Sequence, residues 1–248
     1  MDNDCVIVGA SFAGLACAIA LARSGLRVTV LEKKADAGEK LHTTGIIVKD
    51  AVDQVAILDS LPPQLVRRVD GVRLYAPNLH HVDLRAPGYY FLTTDTPEVL
   101  RWLAGRAEEA GAQIRYRALF TGAARSLGGF DLGEFGTARF LVGADGPTSA
   151  VARMLGLGRS SQFLFGLEHE YAGTALPGAD RLHCFIDRRL ARDISAGWWR
   201  RRAECRPAWR SGCAAAAFLP SGRCHCSWKR SHRSWTCANY SHPRCAPG

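Results

Sequence analysis

The sequence predicts an α/β protein built on a doubly wound parallel sheet and interrupted by a β-rich insertion. Three observations carry this. Residues 4–32 read as strand, glycine turn, helix and second strand. Residues 70–92 change to a short-strand period with proline and glycine turns. Residues 138–158 return to a buried-type strand that ends in Asp145-Gly146 ahead of a helix.

Val6 to Val8 is the β-branched run of a strand buried on both faces. It breaks at Gly9, and Gly9-Ala10-Ser11-Phe12-Ala13-Gly14 opens a helix that runs to Arg23. Gly25 stands where a helix C-cap is expected, and residues 27–31 form a second strand ending at Glu32. A glycine turn inside a complete βαβ unit is the phosphate-binding fingerprint in its required context. Gly9 permits the tight turn and Gly14 lets the helix approach the strand. The amides at the helix start then face a pyrophosphate with the positive dipole end behind them. Glu32 follows Gly14 by 18 residues, placed to accept from ribose hydroxyls. Ser11 replaces the middle glycine of the fingerprint, so a Cβ stands where the pyrophosphate approaches. The alternative is an α/β domain whose glycine turn is merely tight.

A polar stretch, 33–40, and Leu41-His42-Thr43-Thr44-Gly45 follow. Lys33, Lys40 and the threonines are candidate phosphate or ring contacts, against the plain reading of a solvated loop. Residues 50–60 read as one helix, capped by Asp50, with Val52, Val55, Ala56 and Leu58 as its apolar face and Pro62-Pro63 as its stop. Three strands come next, around Val72-Leu74, Val82-Leu84 and residues 89–92, with turns at Pro77-Asn78 and Pro87-Gly88. Thr96-Pro97-Glu98 starts a helix that ends at Gly111, Thr96 being read as its cap. Residues 113–116 and 119–123 read as strands, and Gly128-Gly129 as a turn before another pair. Phe140-Leu141-Val142 leads into Gly143-Ala144-Asp145-Gly146, and a helix covers 150–155, closed by Gly156. Doubly wound sheets place ligand contacts at such strand ends. Asp145 can accept from a ribityl or ribose hydroxyl, and Gly146 lets backbone come close.

The chain is long enough to bury a full core, and no run of about 20 apolar residues exists to span a membrane. The first strand starts too early to leave room for a signal peptide, which predicts a cytoplasmic protein. The net charge of +9 resides entirely in residues 191–248: residues 1–190 hold 21 basic and 21 acidic side chains. Five of the six tryptophans and six of the nine cysteines also lie in that tail, so the chain has two compositions.

Gly9-x-Ser11-x-x-Gly14 with Glu32, followed by Gly143-Ala144-Asp145-Gly146-Pro147-Thr148-Ser149 and Arg153, resembles FAD-dependent oxidoreductases of the glutathione-reductase-like flavin fold. Within them it looks most like the geranylgeranyl-reductase and group A flavin monooxygenase branch. The resemblance covers about residues 1–190. It implies a Rossmann-like FAD-binding domain at 1–62 and 94–158, and part of a substrate domain at 63–93 and 159–190. It also implies that Glu32 holds the adenosine ribose and Asp145 lies near the flavin, with NAD(P)H as the electron donor. The substrate would be a small molecule, an isoprenoid lipid or aromatic compound, which leaves room for peripheral membrane association. Thr96 stands where family members often carry a cofactor-contacting arginine. The family's third motif, Gly-Asp-Ala-x-Gly, is absent, which predicts an N-terminal portion that is weakly active or inactive. No catalytic acid or base is assigned: His169 and Glu170 read equally well as strand-face residues.

The tail admits three readings. A basic, aromatic-interleaved segment can bind nucleic acid. Cys224, Cys226, His225, His232, Cys237, His242 and Cys245 offer metal ligands, but without zinc-finger spacing. The preferred reading is a frameshift near residue 190, with neither nucleic acid nor metal bound. The family has a Pro-Gly-Tyr-x-x-Trp strand at this point, and residues 191–200 read one base out of frame permit that string. A frameshifted tail is expected to be poorly ordered. The rival from another class is a non-catalytic nucleotide-binding fragment or a basic-tail binding protein.

Overall fold

The computed structural model describes the chain except Lys40, His42, Arg159, 162–164, 172–177, 179, 188–195, 201–212, 220–224, 230–233 and 239–248. Of the strands at 165–171 and beyond residue 195 the backbone is described. The first elements are β1 (Asn3–Val8), α1 (Phe12–Arg23), β2 (Val28–Glu32), β3 (Ile46–Val48), α2 (Lys49–Gln54), β4 (Val66–Val69), β5 (Gly71–Tyr75) and β6 (His81–Leu84). Then come β7 (Phe91–Thr94), α3 (Thr96–Glu109), β8 (Gln113–Tyr116), β9 (Ala124–Ser126), β10 (Gly129–Asp131), β11 (Thr137–Gly143) and α4 (Ala150–Leu155). The chain continues with β12 (Phe165–Tyr171), β13 (Arg181–Phe185), β14 (Ala196–Arg200), β15 (Cys213–Leu219), β16 (His225–Lys229) and β17 (Ser234–Ala238). Two compact units result: Met1–Gly45 with Val55–Leu65 and Asp95–Ser161, and Ile46–Gln54 with Val66–Thr94 and Gln162–Gly248. Residues 46–54 thus join the second unit, whereas the sequence reading kept them with the first.

The first unit is a six-stranded sheet in the order β8-β2-β1-β11-β10-β9, parallel from β8 to β11 and antiparallel from there. Its central strands are apolar throughout because both faces are covered. Cys5, Ile7, Val28 and Val30 pack with Leu15 and Ile19 of α1 and Val99, Leu100 and Leu103 of α3. Val6, Val8 and Leu31 face the other way, toward Ala118, Phe120, Leu132 and Val151. α1 ends as its sequence predicts: Gly25 (φ +80) donates to the Ala22 carbonyl and Leu26 to that of Leu21, the paired bonds of a Schellman cap. α3 starts one residue earlier than expected. Asp95 is its cap, accepting from the Glu98 amide, while Thr96 is fully buried in the first turn. Residues 119–123 form no strand: Ala118 and Phe120 pack into the core instead, and the next ladder is the β9–β10 hairpin.

In the second unit, β12-β15-β14-β13-β5-β6 form one sheet and β3-β7-β4 another. The three expected strands exist as β5, β6 and β7 but divide between these two sheets. Val69 and Leu182 are the buried centre, with Ile46, Val72, Phe91 and Cys184 against them. The single helix expected over 50–60 is two pieces, α2 and a 3-10 turn at Ala56–Ser60, broken at Val55 in extended conformation (φ −112, ψ 92). The physical reason is that the two pieces belong to different units, and α2 buries none of its residues. Asp50 does not cap it; its carboxylate accepts from the Tyr89 hydroxyl. Beyond residue 195, β14 and β15 pair within the larger sheet, and β16 and β17 pair antiparallel with each other. Among the described residues, no helix is long and apolar enough to cross a membrane.

Candidate functional site

The site is built at the C-terminal edge of the parallel strands. Gly9 follows β1 with φ +106, a conformation that L side chains rarely adopt, and its amide donates to the Leu31 carbonyl at 2.8 Å. A Cβ on Gly9 would lie 2.4 Å from the Ala144 carbonyl oxygen. A Cβ on Gly14 would lie 1.9 Å from the Gly9 oxygen and 3.3 Å from the Ala144 side chain. The Ala144 amide in turn donates to the Val8 carbonyl at 2.8 Å. Two motifs far apart in sequence therefore meet in one close contact, and the glycines are what allows it. Ser11 caps α1 by position (φ −110, ψ −172); it is exposed, and its side chain makes no capping hydrogen bond. Helix geometry leaves the amides of Phe12, Ala13 and Gly14 without intrahelical partners, at the positive end of α1.

Glu32 is 4% exposed, and both carboxylate oxygens are satisfied by backbone. One accepts from Ala10 N at 2.8 Å and the other from Lys34 N at 2.9 Å. The carboxylate thus ties the glycine turn to the loop after β2, and each oxygen keeps a lone pair for a ribose hydroxyl. Lys33 is exposed beside it, and Lys40 lies outside the described residues. The sequence reading missed how this loop is held. Asp36 accepts from Gly38 N at 2.6 Å and from Arg101 Nε at 3.0 Å. The Arg101 guanidinium holds the Asp36 carboxyl below the usual carboxylate range. The Asp36-Ala37-Gly38 string was the available signal for the local turn; the partner on α3 left none.

Asp145 is half-buried and accepts from the start of α4, whose cap is Ser149. One oxygen accepts from the Ser149 hydroxyl at 2.5 Å, and the other from the Ala150 and Val151 amides at 2.6 and 3.3 Å. Ser149 Oγ also accepts from Ala152 N at 2.9 Å. Gly146 (φ +84) is open: a Cβ there would meet nothing within 4 Å. Gly9, Ala10, Gly14, Glu32 and Asp145 are therefore gathered at one edge by β1, β2 and β11. The side chains of His169 and Glu170 lie outside the described residues, as do those of the tail cysteines and histidines.

The residues present fit a dinucleotide: a cradle that a Cβ would fill, a helix start, and a buried carboxylate one strand away. Comparisons with known proteins bear on which one. The model of a family described as FAD binding domain matches residues 2–165. Digeranylgeranylglycerophospholipid reductase 2 of Methanopyrus kandleri is 28% identical over 198 residues, 75% of this chain and 49% of the relative. An uncharacterized protein from the nifH2 5′ region of Methanosarcina barkeri is 28% identical over 174 residues, 64% of this chain and 90% of that protein. Among solved structures, a geranylgeranyl bacteriochlorophyll reductase-like protein of Thermoplasma acidophilum superposes with TM-score 0.71 at 16% identity, over 88% of this chain and 56% of its own. PqsL of Pseudomonas aeruginosa, solved with 2-aminobenzoylacetate, superposes at 0.69 and 18% identity, over 88% of this chain and 61% of its own. These likenesses show the fold. The chain spans about half the length of the curated reductase it matches.

Proposed function

The chain belongs to the FAD binding domain family, and from that premise we propose that it is the cofactor-holding part of an FAD-dependent oxidoreductase. The observation that supports this most is the convergence of Gly9, Gly14 and Ala144 with Glu32 at one sheet edge. A bound flavin would supply hydride and one-electron chemistry. The chain's own residues bind and orient it. Gly9 and Gly14 let backbone approach the pyrophosphate, with Ala10, Ser11, Phe12 and Ala13 around it. Glu32 accepts from the adenosine ribose, with Lys33 beside it, and Asp145 and Gly146 bound the flavin side.

The full reaction in this reading is reduction of an isoprenoid-type double bond, or hydroxylation of an organic substrate with oxygen, NAD(P)H supplying the electrons in both. The likeness to the Methanopyrus reductase, which extends over three quarters of this chain, favours the reductase. A lipid substrate would bring a cytoplasmic protein to the membrane surface without a spanning helix. We further propose that residues 191–248 are read one base out of frame.

Titration of the purified full chain with FAD tests the site. The expected result is quenching of flavin fluorescence that reverses on gel filtration, with no NAD(P)H-dependent bleaching. Stoichiometric FAD after purification, with bleaching, would overturn the reading of a weakened form. No binding at all would overturn the site.

A further inference from the structure

Among the described residues, Leu79 and Arg117 are the non-glycine positions with positive φ, at 66° and 55°. Leu79 has a local reason. It lies in the turn between β5 and β6, where Leu79 N donates to the Ala76 carbonyl and Ala76 N to that of His80. Arg117 lies in no hairpin. It follows β8 at the ligand edge of the sheet, where Tyr116 pairs with Glu32. Its amide donates to the Lys34 carbonyl at 2.9 Å, and the Ala118 amide to the Glu32 carbonyl at 2.9 Å. The chain steps out at this one residue and rejoins, which sets the Arg117 backbone against that of Lys34. Glycine would adopt this conformation without strain, yet an arginine is kept. Its side chain is exposed and makes no hydrogen bond or ion pair among the described residues. Among the described residues, the two backbone hydrogen bonds hold this conformation and leave the side chain free of partners.

Strand order says which part of a ligand the guanidinium meets. The pyrophosphate site follows β1, the ribose carboxylate ends β2, and β8 lies on the far side of β2 from the glycine turn. Each strand is about 4.8 Å from the next. One step beyond the ribose, away from the phosphates, is the base. We infer that Arg117 is a nucleotide-positioning residue whose guanidinium lies over the adenine face of the bound dinucleotide. Planar arginine stacks well on aromatic faces and holds its charge at all working pH values. The inference rests on the FAD reading above.

The test uses the full chain and three ligands, FAD, ADP and FMN, with Arg117→Ala, Arg117→Lys and Arg117→Gly. Binding of FAD and ADP should weaken about 3- to 30-fold in the alanine and glycine variants, the range of a cation–π contact. FMN, which has no adenine, should bind unchanged, and lysine should restore part of the loss. Arg117→Gly should also raise the melting temperature of the ligand-free chain, because it relieves strain. A merely structural role would move stability and affinity in the same direction. Unchanged FAD and ADP affinity, or an equal loss for FMN, overturns the proposal. Failure of the wild-type chain to bind ADP or FAD overturns the FAD reading and this proposal with it.

Discussion

At the residue scale the site depends on groups with almost no freedom to change. Glu32 is the clearest. Its two oxygens satisfy one amide from the glycine turn and one from the loop after β2, inside a buried setting. Glu32→Gln keeps the shape but turns an NH2 toward one of these donors. The unsatisfied buried amide should cost about 1–3 kcal/mol, read as a lower urea midpoint, and FAD binding should weaken with it. An unchanged midpoint would mean that the carboxylate does not clamp the turn. Gly9, Gly14, Glu32 and the Asp145-Gly146 pair were legible because each belongs to a local string with a fixed meaning. The Asp36–Arg101 pair was not, since its significance lies in a partner that the fold supplies. Asp145 was legible by position, but the sequence hid its bonds to the first turn of α4.

At the scale of elements, β1-α1-β2, α3 and α4 followed from turn signals and periodicity, α3 with Asp95 in place of Thr96 as its cap, because each lies wholly inside one core. The broken helix at 50–60 did not, because its two pieces pack in different units. The junction of β5 and β13 carries a buried histidine with consequences for pH. His183 Nδ1 accepts from the Tyr75 hydroxyl at 2.9 Å, and Nε2 donates to the Gly178 carbonyl at 3.0 Å. Burial lowers its pKa below the ordinary 6.5, and Arg73 and Arg181 push the same way, against the Gly178 bond and Asp180. The unfolded chain therefore binds this proton first, so stability is full above about pH 6.5 and falls as pH drops through the folded value. Hydrogen-exchange protection at β5 and β13, measured against the intrinsic rate at each pH, should fall between pH 7 and 5 in the native chain. In His183→Gln, which titrates nowhere in that window, this loss of protection should disappear. Its persistence would move the cause to other groups.

At the scale of the whole molecule, the two-part layout was legible from the change of period at residue 70, and the two compositions from the charge count. The pairing of β13 beside β5 and the strands beyond residue 195 were not, since partner choice between distant strands has no local signature. Resequencing the coding DNA from codon 180 onward checks the out-of-frame reading. A one-base change near codon 190 should restore Pro-Gly-Tyr-x-x-Trp and, later, Gly-Asp-Ala-x-Gly. A clean written frame with no such continuation would make the tail a genuine part of the protein. The contact between Gly9 and Ala144 has a further consequence, in time rather than in space. Its parallel ladder joins strands about 135 residues apart, Asp2 bonding to Thr137 at its base. Closing so long a loop is entropically slow, and pairings of high sequence separation form late. During synthesis, β1 and β2 emerge on the order of ten seconds before β11 exists to brace the turn. The nascent chain must carry an unfinished nucleotide cradle for that interval, and a cofactor can act on its folding only after the last parallel strand has left the ribosome.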